Sequence, residues 1–421
     1  TGSSHTGLEN PADANSTALE SVFENLTGYK NRNGAIWGRG EMHVFRNVKA
    51  ADNAIGFTHA SGAFGRYAFT SKVVDSLFVG ETENAGNPRT DAEKAYGRSL
   101  PKAELPDFPI RGYEYYDYRH DVENVTFRNY EDNATRKTGA ISYLLYTSFG
   151  VSSNNSVERV KFVNAKPVYF PPMERKWGND NGGSTAYKTA VIRDKDGSVG
   201  GVPNSYILIN DGVNDSIAAD AQACEIKPTW NAAVCKGDVG RLNVGGPGGG
   251  RGGPGAALGG RGAAAAPAGP GAPGAPGAAA GRGGPGAAAG PGGAPARGGG
   301  GFGRGAGAPA QPPVVLSRDG KEYNVTGTNV RAGTEIKVTT ERPTVSLALT
   351  ELDAGSWVIF ELPGFTTAAS GAPQDSLNAL RKASTTSYYK DKDALWVKVV
   401  SDGNRANDGG PAGGTSLQVS R

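Results

Sequence analysis

The chain has 421 residues, of which 37% are hydrophobic, and its 44 basic and 41 acidic residues give a net charge of +3. This balance argues against the broad positive field of a nucleic-acid-binding protein, and no stretch reaches the roughly 18 apolar residues of a transmembrane helix. A chain of this length usually forms two or three domains, and the low hydrophobic content points to a segment that adds nothing to a core.

Residues 1–34 are polar, and we expect an N-terminal cap or connection with a short helix around residues 17–25. Residues 35–244 contain five self-similar segments that alternate apolar residues around an Asn or Asp turn. They begin at His43, Ser71, Asp121, Ser156 and Thr189. The alternation is the period of a strand with one buried face, and the segments lie too far apart for hairpins. The pattern predicts a parallel β-helix with one rung per segment.

Residues 245–313 consist almost wholly of Gly, Ala, Pro and Arg. Such a tract cannot form a core, because no buried side chain offsets the entropy lost on ordering its glycines. We therefore predict a low-complexity linker without a nucleic-acid partner, although its spaced arginines leave binding of a polyanion open. Self-assembly of copies through this tract is the other open reading.

Residues 314–421 carry short alternating segments with Gly and Asp turns at about ten-residue spacing. This spacing predicts a small accessory domain that resembles a β-sandwich. Within it, SLNALRKAS predicts a helix, and SYYKDKDALWVKVVSD predicts a hairpin. The predicted fold class is thus all-β, with a β-helix, a linker and a sandwich in chain order.

Cys224 and Cys235 are the two cysteines of the chain. They lie close enough in sequence to close a small disulfide loop, and a pair of free buried thiols is the alternative. Several Asn-x-Ser/Thr triplets also favour an oxidising compartment. We therefore expect an extracellular protein, either secreted or attached to the cell surface.

Aromatic side chains follow the long excursions that separate the predicted rungs. Tyr113, Tyr115 and Tyr116 come after the first excursion, and Trp177 lies in the second. The apolar face of a pyranose packs on an aromatic ring, so these residues predict a sugar-binding surface, with Arg39 beside the first rung as a further contact. The alternative is that the rings pack against neighbouring rungs.

Asp194 and Asp196 form an acidic pair directly before Gly197. Alternate residues of a strand share a face, so the two carboxylates could hold a hard cation such as calcium. An ordinary Asp-Gly turn is the alternative reading of the same residues.

Residues suited to acid and base chemistry surround the first excursion. We select Glu81, Arg111, Asp117 and His120 as candidate catalytic residues. Hydrolysis of a glycosidic bond needs two facing carboxyl groups, whereas elimination beside a uronate needs a base and a cation that neutralises the carboxylate. A structural role in the core is the alternative, as we expect for His59. The motifs of serine hydrolases, P-loop nucleotide-binding proteins and HExxH metalloproteases do not occur.

Several phrases, taken together and in order, resemble one known family. They include NGAIWGRG from Asn33, FPIRG from Phe108, VTFRN from Val125, IRDKDGSV from Ile192, CEIKPTWNAAVC from Cys224 and GSWVIFELPGF from Gly355. They are similar to the cell-surface hyaluronidases and the cell migration-inducing and hyaluronan-binding family, although we expect no counterpart of that family's N-terminal eight-glycine domain within these 421 residues. The resemblance implies a right-handed parallel β-helix outside the cell, acting on an anionic polysaccharide, with calcium as a candidate cofactor.

The expected function is therefore binding, with or without depolymerisation, of hyaluronan or a similar uronate-containing glycan. A hyaluronidase-like glycosidase and a polysaccharide lyase are both compatible with the candidate residues. The alternative is a non-catalytic carbohydrate-binding or structural surface protein.

Overall fold

The computed structural model describes the backbone of most of the chain outside its low-complexity tract. The described ranges are 20–31, 34–39, 43–60, 70–82, 110–115, 120–132, 137–143, 154–171, 190–209, 217–219, 222–245, 312–324, 327–403 and 414–421. Within these ranges the structure is almost entirely β, which confirms the predicted all-β class. No helix in the described ranges is long and apolar enough to cross a bilayer.

A first region precedes the tract and contains eighteen short strands in its described part. In chain order they are β1 (Ser21–Glu24), β2 (Thr27–Tyr29), β3 (Gly34–Arg39), β4 (His43–Arg46), β5 (Lys49–Ala51), β6 (Ile55–Ala60), β7 (Ser71–Val74), β8 (Leu77–Val79), β9 (Ile110–Tyr115), β10 (His120–Glu123), β11 (Thr126–Tyr130), β12 (Thr138–Tyr143), β13 (Ser156–Glu158), β14 (Lys161–Ala165), β15 (Val191–Asp194), β16 (Ser205–Ile209), β17 (Cys224–Lys227) and β18 (Ala232–Lys236).

From β1 to β14, every third strand of this region pairs in parallel, which produces three sheets. Sheet 1 has the order β1-β4-β7-β10-β13-β15-β16-β18-β17, sheet 2 the order β2-β5-β8-β11-β14, and sheet 3 the order β3-β6-β9-β12. Sheet 1 is parallel up to β15, and its last strands β16, β18 and β17 pair antiparallel. Successive units of three strands therefore lie one on another, and each unit contributes one strand to each sheet. Antiparallel strands end sheet 1.

One hydrophobic core lies between the three sheets. Aromatic rings stack between neighbouring strands of the same sheet, with ring centroids 5.7 Å apart for Phe57 and Tyr113 and 5.5 Å apart for Phe78 and Phe127. All four rings are completely buried, and burial of one such ring stabilises a fold by about 1.5–3 kcal/mol. Gly112 leaves room for this core, because a Cβ at that position would lie 2.7 Å from the Phe127 ring.

The corner between sheets 1 and 2 is a tight turn that recurs in each repeat. Its residues have a positive φ of 51–61° and are Asn25, Asn47, Asp75, Asn124 and Arg159. Asn and Asp tolerate this left-handed conformation better than other residues with a side chain. The side chains also bond along the stack: the amide of Asn47 donates to Asn25 Oδ1 at 2.6 Å, and that of Asn124 donates to Asp75 Oδ1 at 2.6 Å. This ladder explains the Asn and Asp turns seen in the sequence.

A second region consists of the strands that form two further sheets. They are β19 (Val239–Gly245), β20 (Val314–Arg318), β21 (Lys321–Asn324), β22 (Gly327–Arg331), β23 (Thr334–Thr340), β24 (Thr344–Thr350), β25 (Trp357–Pro363), β26 (Thr367–Ala368), β27 (Ala372–Pro373), β28 (Ser387–Lys390), β29 (Ala394–Val400) and β30 (Gly414–Ser420), with the helix α1 (Leu377–Lys382) before β28. Sheet 4 has the order β22-β19-β24-β30-β26, and sheet 5 the order β21-β20-β23-β25-β29-β28-β27.

Sheets 4 and 5 share one apolar core, as expected for a sandwich. Leu347 and Leu417 of sheet 4 and Phe360 and Val397 of sheet 5 belong to the same buried cluster. The predicted helix corresponds to α1, whose N-cap residue Ser376 accepts a hydrogen bond from the backbone of Ala379. The predicted hairpin corresponds to the antiparallel pair β28 and β29.

Two local features differ from the sequence-based expectations. Residues 21–24 form strand β1 instead of part of a helix, because pairing with β4 outweighs the local helical pattern. The β-helix was expected to extend to residue 244, but β19 pairs with β22 and β24 of sheet 4. The strand just before the low-complexity tract therefore belongs to the sandwich.

The two regions are in contact. Arg318 of β20 donates from Nη1 to the carbonyl of Ile217 at 2.6 Å, and the Ile217 side chain lies in the core of the sandwich. Arg193 of β15 lies 3.6 Å from Asp353 and 3.7 Å from Asp238. The sandwich thus packs against the last strands of sheet 1.

Candidate functional site

Strand β9 carries more of the candidate residues that the structure describes than any other strand. It lies in sheet 3 between β6 and β12, and the predicted residues Arg111, Tyr113 and Tyr115 all belong to it. Every residue of β9 is buried. The polar side chains of this strand fall into two groups, one centred on Arg111 and the other on Tyr113.

The first group is a buried ion pair. Arg111 and Glu114 are 1% and 0% exposed, and Nη1 of Arg111 pairs with Oε2 of Glu114. Thr58, aligned with Glu114 on the neighbouring strand β6, donates its hydroxyl to Oε1 of Glu114 at 3.1 Å. A carboxylate out of contact with water depends on such partners, because an uncompensated buried charge is strongly destabilising. The guanidinium of Arg111 therefore has a carboxylate partner within the protein.

The second group contains histidine and tyrosine rings. Nδ1 of His59 lies 3.0 Å from the hydroxyl of Tyr113, and the ring of His59 lies 4.3 Å from that of His120. Burial lowers the pKa of His59 well below its usual value, and the nearby His120 and His43 lower it further. Burial also raises the pKa of Tyr113 well above its usual value. At neutral pH this group therefore holds a neutral imidazole beside a neutral phenol.

Hydrogen bonds from the remaining polar groups fix the end of this cluster to neighbouring strands. The backbone N–H of His120 donates to Oδ1 of Asn155 at 2.9 Å, and the amide of Asn155 donates to the hydroxyl of Tyr143 at 2.7 Å. The hydroxyl of Tyr115 donates to the carbonyl of Ser156 at 2.6 Å. These bonds satisfy buried polar atoms and join sheets 1 and 3.

The predicted sugar-binding aromatics have different positions. Tyr113 and Tyr115 are completely buried in the core, so their rings offer no surface to a sugar in this structure. Tyr116 and Trp177 lie outside the described residues, and Arg39 is described only by its backbone at the end of β3. Tyr113 and Tyr115 instead pack against aromatic rings of neighbouring strands, which is the alternative named above for these residues.

The remaining catalytic candidates lie apart along the repeat. Glu81 follows β8 and is half-buried, His120 begins β10, and Asp117 lies outside the described residues. Sequence reasoning did not select Glu114, Thr58 or Asn155 for the site. The signal for Glu114 was its position between two tyrosines of one strand, and the register places it opposite Thr58.

The two carboxylates proposed for calcium are held by backbone N–H groups. Oδ1 of Asp194 accepts from Gly197 at 3.0 Å, and Oδ2 accepts from Val199 at 3.1 Å and from Gly200 at 2.6 Å. Oδ2 of Asp196 accepts from the backbone of Arg159 at 2.7 Å. Converging N–H donors of this kind are the pattern of a capped turn, the alternative reading of these residues, and calcium binding stays a prediction.

The pKa values of this pair follow from the same contacts. Burial raises the pKa of Asp194, against the lowering effect of its backbone hydrogen bonds. The pKa of Asp196 is lowered overall by hydrogen bonds from Ser198 and Arg159, although partial burial opposes them. Among the described residues, no group of three or more His, Cys, Asp or Glu side chains is arranged to hold a metal ion.

The predicted disulfide is confirmed. Cys224 and Cys235 face each other on the antiparallel strands β17 and β18 and are joined by an S–S bond. The bond closes the hairpin formed by β17 and β18 at the end of sheet 1. The turn Pro228–Trp230 connects these two strands.

Comparison with known proteins identifies relatives for about half of the chain. The cell migration-inducing and hyaluronan-binding proteins of Mus musculus and Homo sapiens are 31% and 32% identical to it over 238 residues, which is 53% of this chain and 17% of each relative. The cell surface hyaluronidase CEMIP2 of Homo sapiens is 30% identical over 239 residues, which is 54% of this chain and 17% of the relative. No protein-family model matches the chain.

The chain thus spans about a fifth or less of the length of these relatives. The similarity nevertheless involves the proteins that the ordered sequence phrases had indicated. The predicted resemblance to the cell-surface hyaluronidases and the hyaluronan-binding proteins related to them is confirmed.

Proposed function

We propose that this chain binds hyaluronan or a similar uronate-containing polysaccharide outside the cell. The observation that carries the proposal is an identity of 30–32% over just over half of the chain to proteins named for hyaluronan. A cell-surface or secreted location follows from the same names, and the disulfide between Cys224 and Cys235 supports an oxidising compartment.

In this proposal the three parallel sheets are the faces of one right-handed parallel β-helix. Two observations support it: every third strand from β1 to β14 pairs in parallel, and one core is shared by all three sheets. A linear polymer suits such a stack, because each repeat presents the same kind of surface about 4.8 Å further along.

Depolymerisation is the extension of this proposal to catalysis, by hydrolysis or by elimination. A catalytic side chain has to come within hydrogen-bond reach of the polymer. Arg111 and His120 are enclosed in the structure, so we place binding before cleavage. The non-catalytic alternative from the sequence, a carbohydrate-binding surface protein, agrees with the same burial.

The test is incubation of the full chain with hyaluronan of defined length, with neutral dextran of the same length as the control. Binding is measured by isothermal titration calorimetry, and polymer length by gel electrophoresis. We expect binding to hyaluronan but not to dextran. Absence of binding to hyaluronan overturns the proposal.

The same samples separate the finer readings. Unchanged polymer length with binding supports the non-catalytic protein, whereas shortened polymer supports the enzyme. An absorbing double bond in the products marks elimination, and its absence in shortened polymer marks hydrolysis. Addition of a chelator tests calcium, and an unchanged result removes calcium from the proposal.

A further inference from the structure

The outward face of sheet 2 presents exposed side chains of a distinctive composition. On strands β2, β5, β8, β11 and β14, alternate residues such as Ala50, Phe78 and Phe127 point into the core and are buried. The residues between them point outward. The outward residues that matter here are Tyr29, Lys49, Val79, Arg128, Lys161 and Val163. The other side chains of these strands that are not buried in the core include Thr, Ala, Leu and Asn, and we name this surface the sheet 2 face.

The sheet 2 face carries positive charge without a compensating acid. Lys49, Arg128 and Lys161 are exposed, and no outward residue of the five strands is Asp or Glu. Within the described residues, none of the three forms an ion pair. Their charge is therefore available to a ligand.

The neighbouring sheet 1 differs in this respect. Nη1 of Arg46 lies 2.8 Å from Glu24, and Arg159 pairs with Glu123 and Glu158. These two arginines are thus neutralised by nearby carboxylates. The contrast makes the sheet 2 face the better match for an anionic partner.

The strand register arranges the cations across the sheet. Lys49 aligns with Leu77, Leu77 with Thr126, and Thr126 with Lys161, which places all four in one row. Lys49 and Lys161 are therefore three strand spacings apart, or about 14 Å. Arg128 lies on β11, two residues along from Thr126 and in the adjacent row. The cations thus span several strands, which suits an extended polyanion better than a single small anion.

Apolar groups lie in the same row as Arg128. Tyr29 is 67% exposed and Val163 is 40% exposed, at the two ends of a row that also includes Val79. An exposed ring and branched side chains on a flat sheet offer packing surfaces for the apolar faces of sugar rings. Nucleic-acid binding relies on more phosphate contacts and on several stacked rings, so the composition favours a polysaccharide.

We propose that the sheet 2 face is the surface on which an anionic polysaccharide docks, lying across the strands, with Lys49, Arg128 and Lys161 contacting its carboxylates and Tyr29 packing on a sugar ring. The ligand class rests on the proposed function, and the inference adds the place and the residues. It also removes the need for Arg111, Tyr113 and Tyr115 to reach the polymer.

The test uses the full chain with Lys49→Gln, Arg128→Gln and Lys161→Gln combined, and a hyaluronan oligosaccharide as the probe. The matched control combines Arg46→Gln, Lys72→Gln and Arg159→Gln, which removes the same charge from sheet 1 and its corner. Affinity is measured by calorimetry at several salt concentrations. We expect the sheet 2 variant to bind at least about tenfold more weakly and with a smaller salt dependence, because it makes fewer ionic contacts, while the control changes less than about twofold.

A second pair of variants tests the apolar contact. Tyr29→Ala is expected to weaken binding several-fold, whereas Trp37→Ala, which removes a half-exposed ring from sheet 3, should leave the affinity unchanged. Thermal unfolding of each variant verifies that these exposed substitutions preserve the fold.

The outcomes separate this inference from the proposed function. If the unmodified chain binds hyaluronan and the sheet 2 variant binds it equally well, the docking surface is wrong while the proposed function stands. If the unmodified chain does not bind hyaluronan, both are overturned. Binding of single-stranded RNA in preference to hyaluronan also overturns both.

Discussion

The first and second regions are assembled from strand pairings of different kinds. In the first region, the strands up to β14 pair with their counterparts in the next repeat, as Val22 does with Val44 and Val73 with Val122. In the second, β19 pairs with β24 across the low-complexity tract, as Gly245 does with Ser346. Repeated pairing leaves a visible period in the sequence, whereas pairing across the tract leaves none. The two regions also have separate apolar cores, which allows experiments to address them separately.

The largest effect is expected from the buried ion pair of the first region. Glu114→Gln leaves the Arg111 guanidinium without its carboxylate in a site that excludes water, so we expect a loss of about 3–5 kcal/mol in the free energy of unfolding of this region. Amide hydrogen exchange read by mass spectrometry measures the loss, which should be confined to the strands of the first region.

Glu24→Gln is the matched control for that variant. Glu24 pairs with Arg46, but the two side chains are 47% and 49% exposed, so its loss should cost less than about 1 kcal/mol. Equal stability of the two variants would show that Glu114 is not enclosed as described.

The disulfide at the end of sheet 1 is expected to have the next largest effect. Replacement of Cys224 and Cys235 by Ser releases a loop with a sequence separation of 11 residues, for which the chain-entropy model gives about 3 kcal/mol. Hydrogen exchange should increase first in β17 and β18 and should change little in sheet 5. A protein whose unfolding is the same with and without a reducing agent would contradict this expectation.

Part of this architecture follows from sequence, and particular residues show why the rest does not. The strands of the first region were predictable because alternation and Asn turns are local, and Asn25, Asn47, Asp75 and Asn124 share the left-handed backbone that Asn and Asp tolerate. Strand β1 was predicted as helix because its partner β4 is not a local feature. The burial of Tyr113 and Arg111 could not be predicted from local sequence either, because it depends on the strands β6 and β12 that flank β9. Residue type indicated chemistry there, but exposure decides which residues a ligand reaches.

The pH dependence of stability gives a smaller effect that also belongs to the first region. Burial holds the pKa of His59 well below 6.5, so as the pH falls through 6.5 the unfolded chain takes up a proton that the folded chain does not. The unfolded state then binds more protons, and the stability present above pH 6.5 decreases on acidification, by at most about 1.4 kcal/mol per pH unit for one proton.

His59→Gln isolates this contribution. Denaturant unfolding at pH values from about 7.5 to 5.5 should show a shallower dependence in the variant than in the unmodified chain. Asp194 acts in the opposite direction at lower pH, because its pKa is raised in the folded state. The comparison with the variant removes that contribution, which both proteins share. Identical slopes would mean that His59 is not the titrating group.

Cutting the low-complexity tract is expected to have the smallest effect on the folded protein. A small effect would support the strand pairing that we describe for the second region. The tract leaves β19 at Gly245 and returns to β20 at Val314. Asn243 of β19 pairs with Gly327, and Val315 of β20 pairs with Asn324, which is only three positions from Gly327. Asn243 is one strand spacing from Gly327, and Val315 is one strand spacing from Asn324. Together with the three residues of chain between Asn324 and Gly327, these spacings place Asn243 and Val315 within about 20 Å of each other. The tract therefore connects two strands that belong to the same apolar core.

A protease site engineered into the tract should accordingly produce two fragments that remain together. β19 stays bonded to β22 and β24 after the cut, and Arg318 stays bonded to the carbonyl of Ile217. We expect the cleaved protein to elute from a native size-exclusion column with the uncleaved control and to separate only in denaturant. Elution of two separate folded fragments would instead restore the tract to the role of an interdomain linker and would place β19 with the first region.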